Sequence, residues 1–241
     1  AACSSARASS SAAAVAVLTV PAGGGLTVPS RLKRELFTGL ASTGAVNTVT
    51  SGNNLFPASV NTFPSFDIPF AGNNYAERVN GFFTPTATGN YVFFLSSDDN
   101  ALLYVSTNDQ PAGKLLVAQE DGWSDARDWY GASSTGGSIP PQKRSDMWSP
   151  DGGITTPYSA GIPMSAGQRY YIEAVHRGGD ANNYVGVTYG TTDEVGQGVP
   201  ANLDPSRLTN GVVSYVTSPV TIFAITNQPA SVTRDEGLPY T

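Results

Sequence analysis

Residues 91–105, YVFFLSSDDNALLYV, read as a strand, a tight acidic corner and a returning strand. In the first half Tyr91, Phe93 and Leu95 fall on one side, and Val92 and Phe94 on the other. Apolar residues on both sides are expected of a central strand covered on both faces. The run stops at Ser96-Ser97-Asp98-Asp99-Asn100, and alternation resumes with Ala101, Leu103 and Val105. Two adjacent carboxylates at the end of the most buried strand are the strongest functional lead in the chain.

A second pair of strands has the same form. In Arg169–His176 one face is Tyr170, Ile172 and Ala174. A Gly/Asp/Asn loop, 177–183, then leads into 184–189, where Val185, Val187 and Tyr189 alternate. Both pairs read as antiparallel hairpins with acidic or amide-rich corners. Strands are also expected over 75–83 and through Leu115–Ala118, with Thr88-Gly89-Asn90 turning into the central strand. Residues 28–40, VPSRLKRELFTGL, hold the densest basic cluster and read as one amphipathic turn on Leu32, Leu36, Phe37 and Leu40. The stretch 119–168 carries all three tryptophans, broken into loops by Gly136-Gly137, Pro140-Pro141 and Gly152-Gly153.

The composition agrees with an all-β domain: 26 Gly and 17 Pro, only 13% charged residues, and many short Tyr-, Phe- and Thr-bearing runs. A net charge of −6 without a basic stripe excludes nucleic acid as a partner. Cys3 is the single cysteine, so no internal disulfide forms. Ala1-Ala2-Cys3 reads either as a lipoprotein-signal scar or as a chance cysteine, and the apolar run 11–18 is too short to span a membrane. An exported protein, extracellular or at the cell surface, is expected. Three parts follow: an Ala/Ser/Gly-rich arm over 1–27 with a strand-like island at 15–20, a domain over 28–209, and a C-terminal strand and linker-like tail over 210–241.

The stretch YAERVNGFFTPTATGNYVFFLSSDDNALLYVST (75–107) resembles the PA14 domain: aromatic sheet residues, a Thr-Gly-x-Tyr turn, an Asp-Asp corner and a Leu-x-Val strand. SAGQRYYIEAVHRGGDANNYVGVTY (165–189) resembles the family's later signature, and RELFTGL (34–40) its opening segment. GWSDARDWY (122–130) and QKRS (142–145) are similar to bacterial members more loosely. TNQPASVTRDEG (226–237) resembles the lead-in to an immunoglobulin-like domain of large bacterial surface proteins. The resemblance implies a PA14-like β-sandwich in which carbohydrate binding is common, and calcium-dependent in the yeast adhesin branch. There the Asp-Asp pair is joined by a cis peptide. Carried onto this sequence, the metal ligands implied are Asp98, Asp99 and Asn183. Asp180 and Asn182 lie close by in the second loop.

Neighbouring side chains on a strand point to opposite faces, so Asp98 and Asp99 share a cation only if the backbone between them turns sharply. Calcium takes roughly 6–8 oxygens, and its open positions accept vicinal sugar hydroxyls. Against this stands a plain polar turn, for which Asp and Asn are ordinary residues. Trp123, Trp129 and Tyr184 either stack on a sugar or plug the sandwich edge, and His176, the one histidine, is expected to be structural. No zinc cluster, Gly-x-Ser-x-Gly elbow or phosphate loop is present, and adjacent carboxylates are badly placed for glycosidase chemistry. The expectation is therefore a non-catalytic, adhesin-like module whose partner is a glycan, with Asp180, Asn182, Tyr184 and Trp123 around the ligand. The alternative is a structural subunit of a surface layer or filament. In that reading 15–20 or 211–225 completes the sheet of another copy.

Overall fold

The computed structural model describes residues 27–28, 31–40, 46, 56–131, 136–196, 207 and 215–216. The island at 15–20, the tail beyond 216 and most of 211–225 lie outside the described residues. Residues 27–216 form one unit. Its strands are β1 (Thr27–Val28), β2 (Leu32–Phe37), β3 (Ser59–Phe63), β4 (Asp67–Ile68), β5 (Tyr75–Phe83) and β6 (Gly89–Asp98). There follow β7 (Ala101–Ser106), β8 (Lys114–Glu120), β9 (Ile162–Met164), β10 (Tyr170–Gly178), β11 (Tyr184–Thr191) and β12 (Tyr215–Val216). Two short helices, α1 (Pro140–Lys143) and α2 (Thr192–Gly196), decorate them.

The strands form an antiparallel six-stranded sheet in the order β3-β2-β5-β10-β7-β8 and a four-stranded sheet in the order β4-β11-β6-β9, while β1 pairs with β12. This is the all-β sandwich that the composition implies. Between the two sheets lie Tyr91, Phe93, Leu95, Val185 and Val187 from the smaller sheet. Val79, Phe83, Leu103, Val105, Ile172 and Ala174 meet them from the larger. Phe83 anchors an aromatic knot, with ring centroids 5.6 Å from Tyr91, 5.4 Å from Phe93 and 4.7 Å from Tyr189. Full burial of each such side chain stabilises the fold by about 1.5–3 kcal/mol.

β6 is covered on both faces, as its sequence predicts. Tyr91, Phe93 and Leu95 enter the main core, while Val92 and Phe94 pack against Trp129 on the outside of the smaller sheet. Trp129 therefore covers the outer face of that sheet, over its inner strands, and neither plugs the edge nor lines the acidic corner. Residues 32–37 are a strand and not an amphipathic turn. Leu32 reaches the main core, and Arg34 pairs with the buried Glu77 of the neighbouring β5.

The larger correction concerns the two apparent hairpins. β6 lies in the four-stranded sheet and β7 in the six-stranded one; β10 and β11 are divided in the same way. Each corner therefore carries the chain across the sandwich from one sheet to the other. Alternating apolar residues specify strands with a buried face, but a crossover satisfies that pattern as well as a hairpin.

Candidate functional site

The two crossovers lie side by side. Asp98 at the end of β6 is opposite Tyr184 at the start of β11, and Ala101 at the start of β7 is opposite His176 on β10. The acidic corner thus runs alongside the 177–183 loop at one end of the sandwich. The Asp98–Asp99 peptide is cis, as the resemblance implies. Three hydrogen bonds tie the corner to its neighbour. Arg177 N–H donates to the Asn100 carbonyl (2.9 Å), Gly179 N–H to Asp99 Oδ2 (2.8 Å), and His176 Nε2 to the Asp98 carbonyl (2.8 Å).

His176 is held in turn from below. Its Nδ1 lies 2.7 Å from Glu77 Oε1, both side chains are fully buried, and Arg34 donates to the other Glu77 oxygen. The Asp98 carbonyl accepts from the ring at Nε2, and Nδ1 faces the Glu77 carboxylate, so the imidazole spans the two. The histidine is structural, as expected, and its task is to fix the corner.

A third loop, 72–74, shapes the second crossover. Asn74 N–H donates to the Gly179 carbonyl, Ala181 N–H to Asn73 Oδ1, and Asn183 Nδ2 to the Gly72 carbonyl. Ala181 and Asn182 take the left-handed conformation, at φ 61° and 54°. Asn adopts it readily and Ala does not.

Asn183 is fully buried. Its Nδ2 donates to the carbonyls of Gly72 (3.0 Å) and Gly179 (3.2 Å), while its Oδ1 has no hydrogen-bond partner. The amide cannot turn round without setting that oxygen against two carbonyls. Nearby, burial and then the charge of Asp99 push the Asp98 carboxyl up to about 6, against an opposing pull from His176. Two crowded carboxylates and an orphaned amide oxygen are hard oxygen donors of the kind that calcium takes. Asp98, Asp99 and Asn183 would hold it. Among the described residues no group of three His, Cys, Asp or Glu side chains is placed to hold a metal, so a site here depends on amide and carbonyl oxygens as well.

A cavity of about 480 Å³ opens over the corner, lined by Asp98, Asp99, Asp180, Asn182, Tyr184 and Trp123, together with Ser124, Asp125 and Ala126. Asn183 is buried and is not among its lining residues. The Tyr184 hydroxyl is 2.6 Å from Ser96 Oγ and 2.7 Å from the Asp125 carbonyl, so it braces the 123–126 wall. Burial pushes its phenol far above the usual range. Six of the seven sequence-derived site residues line this cavity, which adds the 124–126 wall. Its signal was the Trp-Ser-Asp run at 123–125, a third acidic residue beside a tryptophan. Asp125 contributes a further, smaller upward push on Asp98.

The PA14 domain model matches residues 57–192, more than half of the chain. The chain belongs to the PA14 domain family. Fibrocystin of Canis lupus familiaris is 29% identical over 122 residues, which are 48% of this chain and 3% of fibrocystin; the PA14 chain spans a small fraction of that relative's length. Among solved structures it is similar to the epithelial adhesin 9 A domain of Candida glabrata in complex with Galb1-3GlcNAc. That match has 11% identity and a TM-score of 0.46, and covers 79% of this chain and 90% of the adhesin domain. A β-glucosidase of Kluyveromyces marxianus in complex with glucose is 12% identical, with a TM-score of 0.41, over 68% of this chain and 16% of the enzyme. Among the described residues of the PA14 chain, no helix is long and apolar enough to cross a membrane.

Proposed function

We propose that this PA14 domain is a non-catalytic, extracellular module that binds a glycan through a calcium ion held by Asp98, Asp99 and Asn183. The observation that carries the reading is the Asn183 amide. Two carbonyls lock its orientation, leaving a buried oxygen without a partner in the loop whose Gly179 N–H holds Asp99. Calcium, when bound, supplies the charge those groups lack and open positions for adjacent sugar hydroxyls. Asp180, Asn182, Tyr184 and Trp123 form the polar and aromatic rim that orients the sugar. Membership of a family in which carbohydrate binding is common supports the class of ligand.

Calorimetry with calcium chloride, followed by glycan-array binding with and without chelator, tests this. Saturable calcium binding is expected in the wild type and none in Asp98→Ala or Asp99→Ala, with array binding weakened at least about tenfold by chelator (about 1.4 kcal/mol). No calcium binding by the wild type, or binding unchanged in both variants, overturns it.

A further inference from the structure

A second cavity, of about 640 Å³, lies between the edge strand β8 and the segment that follows α1. Its walls include Gln119, Asp121, Ile139, Gln142, Met147 and Trp148. None of the calcium donors lines it. Its volume falls in the range of small-molecule sites, roughly 300–1,000 Å³.

The chemistry of its lining is specific. Gln119 Nε2 donates to Asp121 Oδ1 (2.6 Å) and Gln142 Nε2 to Asp121 Oδ2 (3.4 Å), so three planar polar groups form one connected row. Each amide keeps a second N–H, and the Gln119 carbonyl oxygen and the remaining carboxylate lone pairs are further sites for hydroxyl partners. The Gln142 carbonyl oxygen is occupied by Ile139 N–H at 3.2 Å, which fixes that side chain. Trp148 is stacked on Tyr158, with centroids 6.3 Å apart and planes at 24°, so its ring is held by a neighbour while it lines the cavity. Met147 and Ile139, both exposed, extend the apolar surface. The lining contains no cationic side chain, which disfavours an anionic ligand. An apolar ring surface beside a row of fixed amide and carboxylate groups suits a neutral molecule with one apolar face and a hydroxyl-bearing edge.

The second cavity also adjoins the first. The Asp121 carbonyl accepts from Asn100 Nδ2 at the acidic corner, while Trp123, two residues further on, lines the calcium cavity. The Cα atoms of Asp121 and Trp123 are at most about 7 Å apart. The strip 121–125 therefore runs from the lining of one cavity into that of the other.

We propose that the β8 cavity is a calcium-independent subsite for a neutral pyranose, placed to receive a further unit of a glycan held at the acidic corner. The placement rests on the reading above, whereas sugar binding at the subsite itself does not. The test is a titration in EDTA of methyl glucoside, galactoside and mannoside and their β-linked di- to tetrasaccharides. Amide and indole resonances of Gln119, Gln142 and Trp148 are followed by two-dimensional NMR. Saturable shifts at these three residues are expected with at least one sugar. They persist in Asp98→Ala and weaken about three- to tenfold in Gln119→Ala, the loss of one or two hydrogen bonds. Trp148→Ala removes them, and Gln119→Ala keeps the test valid if that tryptophan variant folds poorly. Absence of saturable shifts with every sugar, or shifts unchanged in both Gln119→Ala and Trp148→Ala, overturns the proposal. Failure of the calcium reading is recorded separately by calorimetry.

Discussion

A methyl group at Gly179 would stand 2.5 Å from Asp99 Oδ2, the oxygen that accepts the Gly179 N–H. The carboxylate is the movable partner, so Gly179→Ala is expected to rotate Asp99 out of place and not to unfold the protein. Stability then falls by about 1 kcal/mol, the worth of the lost hydrogen bond. Calcium affinity, read by calorimetry, falls by an order of magnitude or more. Equal and small effects on both would sink the assignment of Asp99. Asn183→Ala is the complementary case. It removes two hydrogen bonds, costing roughly 2 kcal/mol in urea denaturation, and with them the calcium response of the melting temperature. Asp98, Asp99 and Asn183, the ligands proposed above, stand out in the sequence because the motif carries them in order. Asn73 and Asn74 were not. They reach the 179–183 loop across more than a hundred residues, and Asn in a Gly-rich loop looks like any other turn.

At the scale of elements, the site exists because two crossovers run abreast, and His176 is the bolt between them. Its ring joins Glu77 of β5, itself paired with Arg34 of β2, to the carbonyl of the acidic corner. His176→Phe keeps the ring and its edge contact with Tyr75, whose centroid is 5.7 Å away. It nevertheless leaves a buried carbonyl and half of a buried carboxylate without donors. A loss of about 2–3 kcal/mol is expected in urea denaturation, together with weaker calcium binding because the corner loses its anchor. Unchanged calcium affinity in a folded variant would reduce His176 to a packing role. The sequence revealed all four strands of the crossovers but paired them wrongly. The β6–β7 link is only Asp99-Asn100, as short as a hairpin loop, and strand periodicity is blind to which sheet a strand joins. The missing clue was glycine: a two-residue hairpin favours Asn-Gly or Asp-Gly, and this link has neither.

For the whole molecule, the sandwich was legible from the alternating strands, whereas the contact that ties sheet to sheet and sheet to decoration was not. Glu120, at the end of β8, is fully buried. It accepts from Ser97 N–H (2.8 Å) and Ser97 Oγ (3.0 Å) of β6 in the opposite sheet, and from Ser138 Oγ in the segment leading to α1. A glutamate closing a strand gives no sign in sequence that it turns inward, because its partners lie in other elements. Burial pushes its carboxyl above the usual 4.5, against the pull of the Ser138, Ser124 and Ser97 donors and the Lys143 charge. A folded pKa above the unfolded one means that the native state binds more protons in that window. Stability therefore falls as pH rises from about the ordinary glutamate value through the raised folded value, and levels off above it. Each unit between the two values corresponds to about 1.4 kcal/mol. Glu120→Gln cannot ionise, and its amide can meet Ser138 while its oxygen still faces Ser97. Its stability relative to wild type should therefore climb with pH across that window and stay flat beyond it. The comparison is made by urea denaturation at a series of pH values in EDTA, where Asp98 and the other carboxyls contribute equally to both proteins and cancel. A flat difference throughout would mean that the serines and Lys143 fully offset the effect of burial, and a difference that falls with pH would mean that they hold Glu120 ionised as a charged staple.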